Sequence, residues 1–184
     1  LHVHGTDTQS CHDRGFVPPS KPVAAKFGRA PTLSKAGYFT LPSIAELEQM
    51  SVQERSAVQG FKVWRDGFGM LEWQTAVDVN DVDLDRDVCI EFGSVAVYDR
   101  KVNGTPRSEQ PSVGQALNDP CVVTMERIFP PASPKASDSD LDSAKKQFGE
   151  RVRAKTERAG AEFLQYDAIS GEWQFQVSCF GKKK

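Results

Sequence analysis

Gly171-Glu-Trp-Gln-Phe-Gln-Val-Ser-Cys-Phe-Gly181, followed by Lys182-Lys183-Lys184, is the stretch that decides the fold. Trp173, Phe175 and Val177 alternate with Glu172, Gln174 and Gln176, a period of two that predicts a strand with one face buried. Such a strand carries Cys179 and Phe180 to the edge of a core, so the chemistry available at that edge is the functional question. Just upstream, Phe163-Leu-Gln-Tyr166 and the Ser170-Gly171 turn make it the second arm of a hairpin.

Working backwards, Leu141, Ala144, Phe148, Val152 and Ala159 recur at near-helical spacing with charged residues between them, and Gly160 stops the pattern. Cys121 to Phe129 reads as a strand ended by Pro130-Pro131. Two more hairpins precede it: Phe61–Trp64 with Met70–Trp73 across an Asp66-Gly67 turn, and Cys89–Phe92 with Val95–Tyr98 across Gly93-Ser94. Ser43-x-x-Glu46 and Ser51-x-x-Glu54 each match a capping box, predicting two short helices, or one broken one, that end at Gly60. Residues 1–36 show neither period and read as a flexible linker or N-terminal arm, while 182–184 form a basic tail. The fold class is therefore α+β: a mainly antiparallel sheet of about six strands, half-open barrel or sandwich-like, flanked by helices.

A chain of 184 residues with 39% hydrophobic content can bury one core. Its 23 basic and 25 acidic residues leave a net charge of −2, so no overall positive field points to direct binding of nucleic acid. No apolar run reaches the roughly 20 residues of a membrane span, and the N-terminus lacks a signal pattern; membrane insertion and secretion are not expected. Cys11, Cys89, Cys121 and Cys179 are too scattered for a zinc ribbon or a disulfide scaffold, and suit a reducing compartment.

Several stretches invite a chemical reading. Asp78, Asp81, Asp83, Asp85 and Asp87 resemble the start of a calcium loop, but counting from Asp81 the required glycine is Arg86 and the bidentate glutamate is Phe92, so a solvated loop is expected. His2, His4, Cys11 and His12 are zinc-type ligands at no zinc-type spacing. Of five Phe-Gly dipeptides, those at Phe68, Phe92, Phe148 and Phe180 fall within expected elements and should be packed; Phe27-Gly28 alone lies in the arm. Lys145, Lys146, Arg151, Arg153, Lys155 and Arg158 are interleaved with Glu150 and Glu157 and show no aromatic platform, which suits a solvated helix face better than a nucleic-acid stripe. No phosphate loop or hydrolase motif occurs, and no histidine follows His12, so the folded part lacks the commonest general base. Neither a metal nor a cofactor is expected.

Three motifs together resemble one family. Gly37-Tyr-Phe-Thr-Leu-Pro-Ser43 before the first helix, Val113-Gly-Gln-Ala-Leu-Asn118 before a strand, and Phe163-x-x-Tyr166 through Gly171-x-Trp173-x-Phe175-x-Val177-Ser-Cys-Phe180 are similar to the autoproteolytic C-terminal domain of the GLFG-repeat nucleoporins, over about residues 37–181. The resemblance implies a structural domain at the nuclear pore complex that docks a Phe-Gly repeat protein onto other nucleoporins, among them a β-propeller. It also implies self-cleavage at a His-Phe-Ser or His-Phe-Thr site, where the hydroxyl attacks the preceding carbonyl and an Asn, here Asn118, stabilises the oxyanion.

At that site this chain reads Cys179-Phe180-Gly181. Glycine offers no nucleophile, and the Cys179 thiol lies on the wrong side of the Phe180–Gly181 bond. The reading is a non-cleaving docking domain with a vestigial cleavage site and with Gly114, Leu117, Asn118 and Phe180 as partner-binding positions. Two other readings stay open: an active self-cleaving peptidase using another bond, and an unrelated cytosolic binding module.

Overall fold

The computed structural model describes residues 27–99, 110–131 and 138–180. Residues 1–26, with every histidine and Cys11, and 181–184, with Gly181 and the basic tail, lie outside the described residues. The elements in order are β1 (Tyr38–Leu41), α1 (Ile44–Gln49), α2 (Val52–Arg55), β2 (Lys62–Arg65), β3 (Gly69–Trp73), α3 (Leu84–Asp87), β4 (Val88–Glu91), β5 (Ser94–Val97), β6 (Cys121–Met125), α4 (Asp138–Arg158), β7 (Glu162–Asp167) and β8 (Glu172–Val177). Six strands make one antiparallel sheet in the order β1-β2-β3-β6-β8-β7, and β4-β5 is a separate hairpin. This is the expected α+β architecture; its sheet is open and does not close into a barrel.

Residues paired across an antiparallel sheet share a face. The register sets Trp173, Phe175 and Val177 of β8 opposite Met125, Val123 and Cys121 of β6. It continues through Leu71 and Trp73 of β3 and Val63 of β2. That face is the core, and all of these except the half-buried Val177 are buried. Strands β3 and β6 come so close at Gly69 that a Cβ there would lie 2.4 Å from the Thr124 carbonyl, which only glycine tolerates.

Two covers sit on the core face. At the β1–β2 end, the Tyr38 hydroxyl accepts from the Ile90 N–H at 2.8 Å and donates to the Ile90 carbonyl at 3.1 Å, tying down the β4–β5 hairpin. At the β7–β8 end, α4 buries Val152 and Thr156, and Thr156 Oγ1 accepts from Trp173 Nε1 at 3.1 Å. Both capping boxes form, Ser43 with Glu46 and Ser51 with Glu54.

The structure corrects several sequence expectations. Strand β1 was invisible because Tyr38 and Thr40 point inward while the apolar Phe39 and Leu41 are exposed; Phe39 stacks on Trp64 across the opposite face at 5.6 Å. The strand expected to run to Phe129 ends at Met125, because Arg127 takes a positive φ of 59° and the Ile128 N–H goes to the Gly171 carbonyl at 2.8 Å. The chain there serves the β7–β8 turn instead of the ladder.

The acidic run is a fastener and not a solvated loop. Asp81 accepts from the Gly28 N–H at 2.9 Å and the Arg29 N–H at 3.2 Å, and Asp85 from the Ser34 N–H at 2.8 Å and the Lys35 N–H at 2.9 Å. Thr32 bridges Asp83 in parallel, and the buried Arg55 guanidinium donates to the carbonyls of Gly28, Leu47 and Met50 and to Asn80 Oδ1. Residues 28–35, assigned to the arm by composition, are thus held to the domain, because carboxylates satisfy amides that have no strand partner.

Burial works to raise the Asp85 carboxyl, but the Ser34 amide and hydroxyl and the Lys35 amide outweigh it and hold the group below its ordinary value. A depressed carboxylate contributes stability in full above its unfolded pKa and loses it as pH falls through the folded one. Asp85→Ala is therefore expected to cost about 2 kcal/mol at neutral pH. In denaturant melts the difference from the native chain should close as the pH drops below the usual carboxylate range.

Candidate functional site: the end of the closing strand

Beyond β8, Ser178 and Cys179 lead to Phe180, where the backbone is gripped on both sides. The Phe180 N–H donates to Asn118 Oδ1 at 2.7 Å, and the Phe180 carbonyl accepts from Gln110 Nε2 at 2.7 Å. The Phe180 ring meets Trp73 at a centroid distance of 6.4 Å. Asn118 is 3% exposed, and its Nδ2 donates to the Pro111 carbonyl at 2.8 Å, so only one orientation of the amide satisfies both bonds.

The loop that carries these groups is built locally. Gln115 N–H donates to the Ser112 carbonyl, Asn118 N–H to Gln115 and Gly114 N–H to Asn118, the last at 2.8 Å. Gly114 sits at φ 81°, a left-handed conformation that favours glycine. Trp73 Nε1 donates to the Leu117 carbonyl at 3.0 Å and pins the loop to the sheet.

Of the expected partner-binding positions, Gly114 is exposed and Phe180 is half-buried, whereas the Leu117 side chain is fully buried and can act only by shaping the loop. Asn118 touches Phe180 on its amide side; the donor on its carbonyl is Gln110, which sequence reading did not single out. The only sequence signal is its place just before Pro111, which is not distinctive.

Cys179 is half-buried at the edge of a groove of about 620 Å³. Met125, Trp173, Phe175 and Val177 form its floor, Gly93 to Val95 of the β4–β5 hairpin one wall, and Lys155 with Ala159 to Ala161 at the end of α4 the other. It is the gap that the two covers leave on the core face. Cys121 is buried, and burial pushes its thiol up, so it stays protonated and unreactive. Among the described residues no group of three or more His, Cys, Asp or Glu is placed to hold a metal ion. No helix among them is long and apolar enough to cross a membrane.

Two further expectations change. Phe92-Gly93 is not packed: Phe92, at the hairpin tip, is 64% exposed beside the groove wall. The cations of α4 do have aromatic neighbours, with Arg153 over Phe163 at 4.7 Å and Lys155 over Trp173 at 5.5 Å, but these rings belong to the domain's own packing.

The chain matches the family described as Nup98-96 autopeptidase S59 over residues 35–182. It is 35% identical to the nuclear pore complex protein NUP98A of Arabidopsis thaliana over 84% of this chain, and spans 14% of the length of that relative. Among solved structures it is similar to the Nup145N APD of Chaetomium thermophilum, solved as a mutant fused to Nup145C N. The identity there is 26% and the TM-score 0.62, over 78% of this chain and 94% of the other. It shares its fold with a chain of the yeast heterotrimeric Nup82-Nup159-Nup116 complex, at 22% identity and a TM-score of 0.64, covering 79% of this chain and 98% of that one.

Proposed function

Because this chain belongs to the Nup98-96 autopeptidase S59 family, and is a nucleoporin domain of the nuclear pore complex, we propose that it is a member that docks without cutting itself. The observation that carries this reading is the grip on Phe180: both polar groups of its peptide are bonded and its ring is seated against Trp73. The residue that follows is Gly181, which has no hydroxyl to attack the Phe180 carbonyl, and Cys179 stands where the family carries a histidine. An N-to-O acyl shift needs a nucleophile on the residue after the carbonyl, and without one the step has no starting atom. What the site retains is a means of seating the segment that follows β8.

The docking partners are other nucleoporins, a β-propeller among them, received at the groove beside Phe180 with the exposed Gly114 turn on its flank. The autopeptidase-type domain runs from about residue 37 to 181, with residues 28–35 of the preceding arm clasped to it, and the basic tail follows. Two measurements test the reading. The mass of the chain after prolonged incubation at neutral pH should remain that of the intact molecule, and immobilised protein should retain nucleoporins from a pore extract. Fragments ending at Phe180 would overturn the loss of cleavage. A fragment ending at Ser178 would point to attack by the Cys179 thiol on the Ser178 carbonyl, the single bond that thiol can reach through an acyl shift.

A further inference from the structure

The clasp that fastens residues 28–35 to the acidic loop carries a sequence feature that its packing does not explain. Two of the chain's Ser and Thr residues have an arginine three positions upstream: Thr32, behind Arg29, and Thr156, behind Arg153. The Thr156 hydroxyl is buried and bonded to the Val152 carbonyl and to Trp173 Nε1, out of reach of an enzyme. Thr32 is exposed, and the Arg29 side chain stays 75% exposed while touching Asp81 Oδ1 at 3.3 Å. An arginine at that spacing ahead of a hydroxyl, on an extended segment, is what basophilic protein kinases read with carboxylates in their own peptide cleft.

The surroundings of Thr32 decide what a phosphate does there. The Thr32 N–H donates to the Val82 carbonyl at 3.1 Å and the Thr32 carbonyl accepts from the Leu84 N–H at 3.0 Å, so the arm runs parallel to the acidic loop with Thr32 beside Asp83. Pro31, Val82 and Leu84 turn inward, which leaves Thr32 and Ser34 on the outer face with Asp83 and Asp85. Ser34 Oγ donates to Asp85 Oδ2 at 2.8 Å. Neighbouring cations among the described residues are already engaged: Lys35 Nζ donates to the Val88 carbonyl at 3.0 Å, and Arg86 Nε lies 2.9 Å from Asp87 Oδ1. A phosphate on Thr32, with a charge of about −1.5 to −2, therefore meets a row of carboxylates.

We infer that Thr32 is a phosphorylation site and that the phosphate opens the clasp. A protein kinase transfers the γ-phosphoryl group of ATP to Thr32 Oγ1: the new O–P bond forms, the bond to the β-phosphate breaks, ADP leaves and the hydroxyl proton is released. The kinase cleft needs the Thr32 backbone unpaired, so it acts on the open arm, and the closed clasp holds the modification back. Once present, the phosphate disfavours reclosure by like-charge repulsion. The core face takes no part, so the domain stays folded while its N-terminal attachment is released. This switch is independent of the docking role proposed above.

Incubating the full chain with ATP and either cyclic-AMP-dependent protein kinase or protein kinase C tests this, with the phosphate located by fragment mass. Phosphate is expected on Thr32 and not on Thr156. Arg29→Ala should abolish it, although that change also loosens the contact with Asp81, and Asp85→Ala should raise its initial rate several-fold. In the phosphorylated chain, hydrogen exchange at the Gly28, Ser34 and Lys35 amides should lose protection roughly tenfold or more. The β6 and β8 amides should keep theirs, which also confirms that each variant is folded. Absence of phosphate from Thr32 in the Asp85→Ala chain with both kinases would overturn the inference. So would a Thr32-phosphorylated chain whose clasp amides stay protected, since the phosphate would then have found a cation instead of repelling the carboxylates.

Discussion

Replacing Cys179→His and Gly181→Ser together is expected to return cleavage after Phe180, read as a shift of the intact mass to a fragment ending at that residue. The expectation rests on what is already in place. Gln110 Nε2 stands 2.7 Å from the Phe180 carbonyl oxygen, within the range of an oxyanion donor, and Asn118 fixes the same peptide from its other side. The serine supplies the attacking oxygen, and the histidine supplies the base that removes its proton. Gly181→Ser alone should cleave about 10²–10⁴ times more slowly than the double variant, the usual contribution of a positioned base. Adding Gln110→Ala to the double variant should slow it by about 10²–10³, the cost of losing one oxyanion donor. A double variant that folds and stays inert would show that the grip on Phe180 lacks the alignment that attack requires.

Trp73→Ala should be among the most destabilising single changes in the chain, at about 4 kcal/mol. The residue is 1% exposed, packs on Phe61 at 5.5 Å and on Phe180 at 6.4 Å, and donates to the Leu117 carbonyl. Its removal opens a cavity under the sheet and orphans a buried carbonyl, and a domain of this size holds about 5–15 kcal/mol in total. Urea denaturation monitored by circular dichroism should show a much lower midpoint at an unchanged slope. Trp73→Phe keeps the ring but leaves the Leu117 carbonyl without its donor, and should cost about 1–2 kcal/mol. In both variants the 110–118 loop loses its bond to the sheet at Trp73, so Phe180 should become more accessible to proteolysis than the rest of the sheet.

The sheet was legible wherever burial alternated with sequence. The closing strand and β3 carry their apolar residues at alternate, buried positions, and both capping boxes are local signals that need no tertiary knowledge; β7 does not alternate and was legible only as the first arm of a hairpin. What escaped was non-local. Strand β1 hides because its outward residues are as apolar as its inward ones, and α3 is a four-residue turn capped by Asp83. The acidic run looked solvated because the amides that use its carboxylates are about 50 positions away in the chain, at Gly28 and Ser34. At the site, the family motifs pointed to Asn118 and Phe180, which the structure brings together at 2.7 Å. Gln110 could not be found that way: a lone glutamine in a polar connection has no periodicity, and its role exists only because a residue 70 positions later ends beside it.

The clasp between residues 28–35 and the acidic loop also has a mechanical meaning. Strand β1 is a four-residue edge strand, and tension entering at residue 37 would peel it from β2 one pair at a time, the weakest way to load a ladder. With the clasp closed, tension arriving from the N-terminal side first meets Asp81, the Thr32 bridge and Asp85 in succession, together with the Arg55 guanidinium. Those contacts resist in shear, several at once, and shield the edge of the sheet from the pull. In a domain pulled from its N-terminal side, residues 28–35 are placed to act as a strain relief.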